Sequence, residues 1–392
     1  MRSIDVYTFA GGFTVGVVQA EFEPVAKREF ANGFGTPAAL SNRHILGDEW
    51  QLETCEASQW TPVAAEALFS NPPCSAWSLR SIHVPLKGTD KKNTPVSEWT
   101  NSFRGLNSPI NSCMHDVVEY AARCPELQVV VFESVQQAGK QGLPLMRELR
   151  IKLESLTGLD WDLNHVFHNN LSVGGVCNRP RYFWVASRVP FGVLPPCPLD
   201  PIPNSVEVLR ADVPGIDGGS TPNTKEARRI RSLLETGIEM LPRETISQPA
   251  GRFAEKYGMD ALKKLDAWDS PRLEYFVRRG FRSDQYQPRR WDPNKPCAVI
   301  TGKVQEAVHP TESRCLTFRE AARTLGYPEE WKLCDYTTDA WLGKGIPILS
   351  GKFIAQSTKL SIEGNLNGLD RGTLIGDREW EFNNTHKWKK SK

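Results

Sequence analysis

The first twenty residues restrict the fold more than any other stretch of the chain. Ile4-Asp-Val-Tyr-Thr-Phe9 is a short run rich in apolar and β-favouring residues, Ala10-Gly11-Gly12 is a turn with little bulk, and Thr14-Val-Gly-Val-Val-Gln-Ala20 continues as a helix. Strand, glycine turn and helix in that order open a doubly wound α/β unit. The pattern then repeats. Pro24-Val-Ala-Lys-Arg-Glu29 reads as a second strand ending on an acid, and Ala67-Leu-Phe69 as a buried strand. Glu126–Glu133 is an apolar run ending on another acid, as a parallel core strand would. Leu145, Leu149, Leu153 and Leu156 share one helical stripe within 143–156, and Arg181-Tyr-Phe-Trp-Val-Ala186 is a further strand. Strands alternating with helices predict a sheet with helices on both faces.

Phe69-Ser-Asn71-Pro72-Pro73-Cys74 is the segment with chemical content. Each proline fixes its own φ and restricts the residue before it, so Cys74 sits on a stiff, extended turn. That turn follows a strand, which places the thiol at a carboxyl end, where open α/β sheets hold ligands. A rigid, presented thiol suits a nucleophile.

In their order along the chain, these segments resemble the motifs of the DNA cytosine-5 methyltransferases, whose nucleophile is the Cys of a Pro-Pro-Cys motif. Asp5–Gly16 matches the N-terminal motif, Phe132-Glu133-Ser134-Val135 is similar to Glu-Asn-Val, and Cys177-Asn-Arg179-Pro-Arg181 to Gln-x-Arg-x-Arg. Arg314-Cys-Leu-Thr-Phe-Arg-Glu-Ala-Ala-Arg323 resembles the segment before the last family helix, and Gly343-Lys344-Gly345-Ile346-Pro347 with Gly351-Lys-Phe-Ile-Ala closes the series. The resemblance covers residues 4–187 and 296–356. It implies a mixed seven-stranded, Rossmann-like class I S-adenosylmethionine-dependent methyltransferase sheet with an inserted smaller target-recognition domain.

The implied activity is transfer of a methyl group from S-adenosylmethionine to C5 of a flipped cytosine in double-stranded DNA. Cys74 would attack C6, and Glu133 would protonate N3 and accept from the N4 amino group. Arg179 and Arg181 would flank the base and favour the thiolate. Donor contacts are implied at Tyr7, Phe9, Ala10, Gly11, Gly12, Glu29, Asn71, Pro72 and Lys344, with Glu29 on the ribose hydroxyls and Gly16 among the small residues that admit the donor. The sequence departs from the family at Phe9, at Ser134, at Cys177 and at Lys344, where the family has Gly, Asn, Gln and Asn. An ammonium near a sulfonium is repulsive, so a Lys344 facing the donor would favour one with an added carboxylate, carboxy-S-adenosylmethionine, and hence carboxymethyl transfer. The same motifs would also suit an RNA cytosine methyltransferase, or a binder that flips cytosine without modifying it.

Of 392 residues, 40% are hydrophobic, enough for two domains. The residues divide as a catalytic part over 1–189, a target-recognition insert over 190–295 that opens proline-rich and turns basic and aromatic, a returning catalytic part over 296–362, and a weakly ordered tail over 363–392. The formal net charge is only +2, so phosphate contact would come from local clusters such as Lys225–Arg231, Arg278–Arg282 and Arg289-Arg290. Nine cysteines without a Cys-x-x-Cys pair or a His-x-x-x-His partner argue against a zinc site. Their odd number and the lack of a leader segment argue against a disulfide framework and for a reducing compartment; a cytoplasmic protein, bacterial or phage-encoded in an infected cell, is expected. No apolar run is long enough to span a bilayer, and a monomer without metal is expected. Thr317 and Glu320 have the spacing of a capping box at the head of a helix over 318–325.

Overall fold

The structure is a computed structural model that describes residues 1–8, 11–29, 51–74, 76–77, 105–209, 289–300, 304, 307–311, 316–328, 339–372 and 374–375. The chain divides into two compact units, one of Met1–Asp200 with Gly345–Lys392 and one of Pro201–Lys344. This division places 296–344 with the second unit, whereas the sequence motifs group it with the catalytic part.

The first unit is built on seven strands: β1 (Arg2–Val6), β2 (Glu23–Arg28), β3 (Gln51–Glu53), β4 (Ala67–Ser70), β5 (Val129–Ser134), β6 (Asp162–Asn169) and β7 (Pro180–Ser187). Their order across the sheet is β3-β2-β1-β4-β5-β7-β6. The strands run parallel except β7, which is antiparallel to both β5 and β6. From β1 the chain winds to β2 and β3 on one side, then restarts at β4 on the other. The switch point therefore lies between β1 and β4. The glycine turn and the Pro-Pro-Cys turn leave from these two carboxyl ends.

Each face of the sheet is covered, so the central strands are buried on both sides and mostly apolar; all six residues of β5 are buried. On one face lie the helices Ser112–Ala122, Gln136–Gln141 and Leu143–Thr157. Phe132 stacks on Trp184 there at 4.8 Å. Leu145, Leu149 and Leu153 of the predicted stripe are buried, but Leu156 is 52% exposed. It keeps the stripe's angle but falls in the helix's last turn. On the other face α1 (Gly12–Gln19) and the helix Ile348–Ile362 pack together, with Phe13, Phe69, Phe183 and Phe353 in their shared core.

Gly16 has a different use from the one the sequence suggested. A Cβ there would lie 2.5 Å from the Lys352 backbone nitrogen and 2.7 Å from the Gly351 carbonyl carbon. The glycine lets two helices touch backbone to backbone. Gly16→Ala is expected to push them apart and to destabilise the protein by about 1–3 kcal/mol despite alanine's better helix propensity. Urea denaturation checks this; an unchanged midpoint would show that the helices yield freely.

The tail is not a bare appendage. Asp370–Arg371 pairs antiparallel with Gly192–Val193, and Leu374–Ile375 adds an eighth, parallel strand beside β6. Two-residue pairings carry no periodicity, so the sequence could not announce them.

In the second unit, the described residues include a one-turn helix Ser205–Val208 capped by Asn204, with the Ser205 hydroxyl donating to the Asp292 carbonyl at 2.8 Å. Arg289–Arg290 pairs with Ala307–Val308. The helix Phe318–Thr324 starts on the predicted capping box: Thr317 accepts from the Glu320 amide at 3.0 Å, and Glu320 accepts from the Thr317 amide at 2.8 Å. Arg314 and most of the inserted segment lie outside the described residues.

Candidate active site

Cys74 lies four residues beyond the end of β4. Asn71 and Pro72 before it are buried, and the Asn71 amide donates to the Val6 carbonyl at 3.1 Å, tying the turn to β1. The Trp77 amide closes a turn on the Cys74 carbonyl at 3.0 Å, and its indole is buried in the core. The thiol is thus held from both sides.

Glu133 is next to last in β5, and Phe132 before it pairs with Ser70 of β4. The acid and the nucleophile therefore leave neighbouring strands at the same end. Glu133 opposes Phe183 on β7, so Arg181 is its diagonal neighbour on the same face. The Arg181 Nε to Glu133 Oε1 distance is 2.5 Å, and both side chains are largely buried. Glu133 caps no helix: the next one, Gln136–Gln141, follows Val135 with no side-chain cap. Arg179 is also buried and donates from Nη2 to the Gly345 carbonyl at 2.6 Å.

These four groups act on one another's charge. Burial pushes the Cys74 thiol up, Glu133 adds to that, and Arg181 and Arg179 oppose it. Burial likewise raises the Glu133 carboxyl against the pull of Arg181 and Arg179. Burial, with Arg181 beside it, brings Arg179 down to about 9. A raised carboxyl beside guanidiniums is the state of an acid able to give a proton.

Around this group the hairpin between β6 and β7 is stitched tightly. Asn169 accepts from the Arg179 amide at 3.2 Å, and Asn170 donates to Cys177 Sγ at 3.2 Å. Cys177 is buried, with its thiol pushed up to about 11 by burial, so the residue that replaces the family's Gln serves the hairpin. His168 stands opposite Arg181 on β6 and stacks on Phe353 at 5.1 Å. Burial and Arg181 bring its pKa down to about 3, so it is neutral.

At the switch point, Gly11 has φ 86°, a left-handed conformation that glycine adopts without strain. Tyr7 is also left-handed, at φ 57°, which is strained for a bulky residue. Its phenol donates to Asp116 at 3.1 Å and its ring meets Trp60 edge-on, so the side chain belongs to the core and the backbone turn faces the switch point. Glu29, just past β2, is fully buried with Lys27, whose ammonium lies 3.1 Å from Glu29 Oε1. Phe9 and Ala10 lie outside the described residues.

The type II methyltransferase M.AgeI of Thalassovita gelatinovora is 20% identical over 435 residues, covering 92% of this chain and 100% of that protein. No protein-family profile matches the chain. Among solved structures, one described as a DNA modification methyltransferase encoded within an E. coli prophage aligns with a TM-score of 0.56 at 14% identity, covering 93% of this chain and 99% of that one. The chain has the class I S-adenosylmethionine-dependent methyltransferase fold. The Entamoeba histolytica methyltransferase EhMeth aligns with a TM-score of 0.51 at 13% identity, covering 94% and 99% of the two chains. The motif resemblance to the DNA cytosine-5 methyltransferases agrees with these likenesses.

The residues present suit the donor that this methyltransferase fold implies. A left-handed glycine opens α1 at the carboxyl end of β1, and a buried acid ends β2 beside it. Lys344, by contrast, is exposed at the end of the helix Asp339–Lys344. Sequence reading passed over Lys27, which looks like an outward lysine in a half-buried strand. The signal was its spacing: two residues before Glu29, it must share that acid's face. Among the described residues no cluster of His, Cys, Asp or Glu could hold a metal, and no helix is long and apolar enough to cross a membrane.

Proposed function

We propose that this protein transfers a methyl group from S-adenosylmethionine to C5 of cytosine in double-stranded DNA, through a covalent bond between Cys74 and C6. The observation that carries this reading is the coupled group of Cys74, Glu133, Arg179 and Arg181 at the carboxyl ends of β4 and β5 and the start of β7. The description of the prophage protein as a DNA modification methyltransferase supports DNA as the substrate.

Cytosine C5 is too weak a nucleophile to take a methyl group unaided. Addition of the Cys74 sulfur at C6 breaks the ring conjugation and moves an electron pair toward C5 and N3. Glu133 gives its proton to N3 as charge develops there, and Arg181 holds the carboxylate that remains. Arg179, fixed by the Gly345 carbonyl, adds positive charge that favours the thiolate. With the methyl group on C5, loss of the C5 proton to solvent reforms the C5–C6 double bond and expels the Cys74 sulfur as thiolate, and N3 returns its proton to Glu133. When bound, the donor supplies the electrophilic methyl group; Gly11, Gly12, Asn71, Pro72 and Glu29 would hold it. The protein would work as a monomer on a base turned out of the duplex.

The test is to incubate the protein with S-adenosylmethionine and either duplex DNA or RNA of mixed sequence, then identify the nucleosides by mass. The expected product is 5-methyl-2′-deoxycytidine. Methylation of RNA alone, or of another base, would overturn the proposal.

A further inference from the structure

Beneath the glycine turn runs a chain of five fully buried polar side chains that the reaction itself does not use. Thr14 donates to Asp5. The Thr14 and Thr8 hydroxyls lie 3.2 Å apart. Lys27 donates to Thr8 and lies 3.1 Å from Glu29. The chain therefore starts in β1, crosses α1 and the end of β1, and finishes on the acid after β2. Burial lifts the Asp5 carboxyl to about 6, against the pull of Lys27 and Thr14.

We infer that Lys27 is a positioning residue of the donor site, fixing the Glu29 carboxylate against the glycine turn so that it meets the donor's ribose hydroxyls. This rests on the reading that Glu29 takes those hydroxyls. The physical argument concerns what a buried ion pair is good for. A well-packed apolar pair would stabilise the same spot as well or better, because two desolvated charges barely recover their lost hydration. What the pair adds is orientation. A glutamate beyond the end of a strand has three side-chain torsions to settle, and an ammonium on one oxygen, itself anchored to Thr8, settles them before any ligand arrives. A hydrogen bond made to a carboxylate already in place loses less conformational freedom than one made to a mobile group. Because Thr8 leads into the turn and Glu29 follows the neighbouring strand, Lys27 also sets the spacing between the parts of the site that would face the two ends of the donor.

The test compares the binding of S-adenosylhomocysteine and its 2′-deoxy analogue to the full chain by titration calorimetry. A hydrogen bond to a charged group makes the analogue roughly tenfold weaker or more for the wild type. Glu29→Gln is expected to shrink that ratio to about twofold or threefold. Lys27→Met, which keeps Glu29, should collapse the ratio in the same way and raise KM for the methyl donor while kcat at saturating donor changes little. If Lys27→Met weakens both ligands equally and keeps the wild-type ratio, Lys27 is only structural and the inference is overturned. Lys27→Gln, uncharged but still a hydrogen-bond donor, serves if the methionine variant does not fold: a reduced ratio supports the inference and an unchanged one overturns it. A wild type that does not distinguish the ligands would overturn the Glu29 reading itself, and the inference with it.

Discussion

Replacing Cys74 with serine is expected to abolish covalent trapping on duplex DNA containing 5-fluorocytosine and to lower methyl transfer by on the order of a thousandfold or more. Fluorine at C5 cannot leave as a proton does, so the wild-type adduct should survive on a denaturing gel as a shifted band that needs the donor. The size of the effect follows from the site. Burial and Glu133 already push the thiol up, and Arg181, Arg179 and a backbone hydrogen bond at Cys74 oppose them. A hydroxyl, far less acidic than a thiol, would need much more help than two guanidiniums give. The turn should keep its shape, because Pro72, Pro73 and the hydrogen bonds from Asn71 and Trp77 are backbone features that the substitution leaves alone. DNA affinity should therefore change by less than about threefold. The same shifted band from Cys74→Ser as from wild type would remove Cys74 from the mechanism.

The residues that were legible in the sequence share one property: their local pattern leaves the backbone little choice. The glycine turn, the paired prolines and the unbroken Val-Val-Val-Phe run of β5 each impose a conformation within a few residues, and the structure places Cys74 and Glu133 at the predicted strand ends. The capping box at Thr317 and Glu320 is legible for the same reason, since both partners lie within one turn. What escaped depends on distant contacts. Gly16 looks like another small residue near a ligand until the helix Ile348–Ile362 is laid against it. Lys27 and Arg28 are both fully buried on opposite faces of one strand, although alternation would send at least one outward. Arg28 is retained by the Tyr120 hydroxyl, at 3.1 Å, and by the Thr61 carbonyl, at 2.7 Å, from segments far along the chain. The tail strand beside β6 and the neutral His168 next to Arg181 depend on register across the sheet, which no single segment encodes.

Glu133→Gln is expected to lower turnover by about two to four orders of magnitude while leaving DNA binding within a few fold of wild type. An amide can still accept a hydrogen bond from Arg181 and from the cytosine amino group, so the base should still be held. It cannot give up a proton to N3, so the loss falls on the chemical step and shows in kcat. The pH dependence sharpens the test. The Glu133 carboxyl is raised in the folded protein by burial, which outweighs Arg181 and Arg179. Its protonated form therefore persists to higher pH than in an ordinary glutamate, and wild-type kcat should fall on the alkaline limb as that proton is lost; the glutamine variant should lack this limb. Stability follows the same sign. A carboxyl raised on folding contributes stability that is complete below its unfolded value and is lost as pH rises through its folded value. The glutamine variant has no such group, so its stability relative to wild type should improve from acid toward neutral pH, set against a fixed penalty for the weakened pair with Arg181. Stopped assays under single turnover, across pH, separate the two effects. Near-normal kcat with glutamine, or an alkaline limb that persists in the variant, would mean that another group supplies the proton and that Glu133 serves only to hold Arg181.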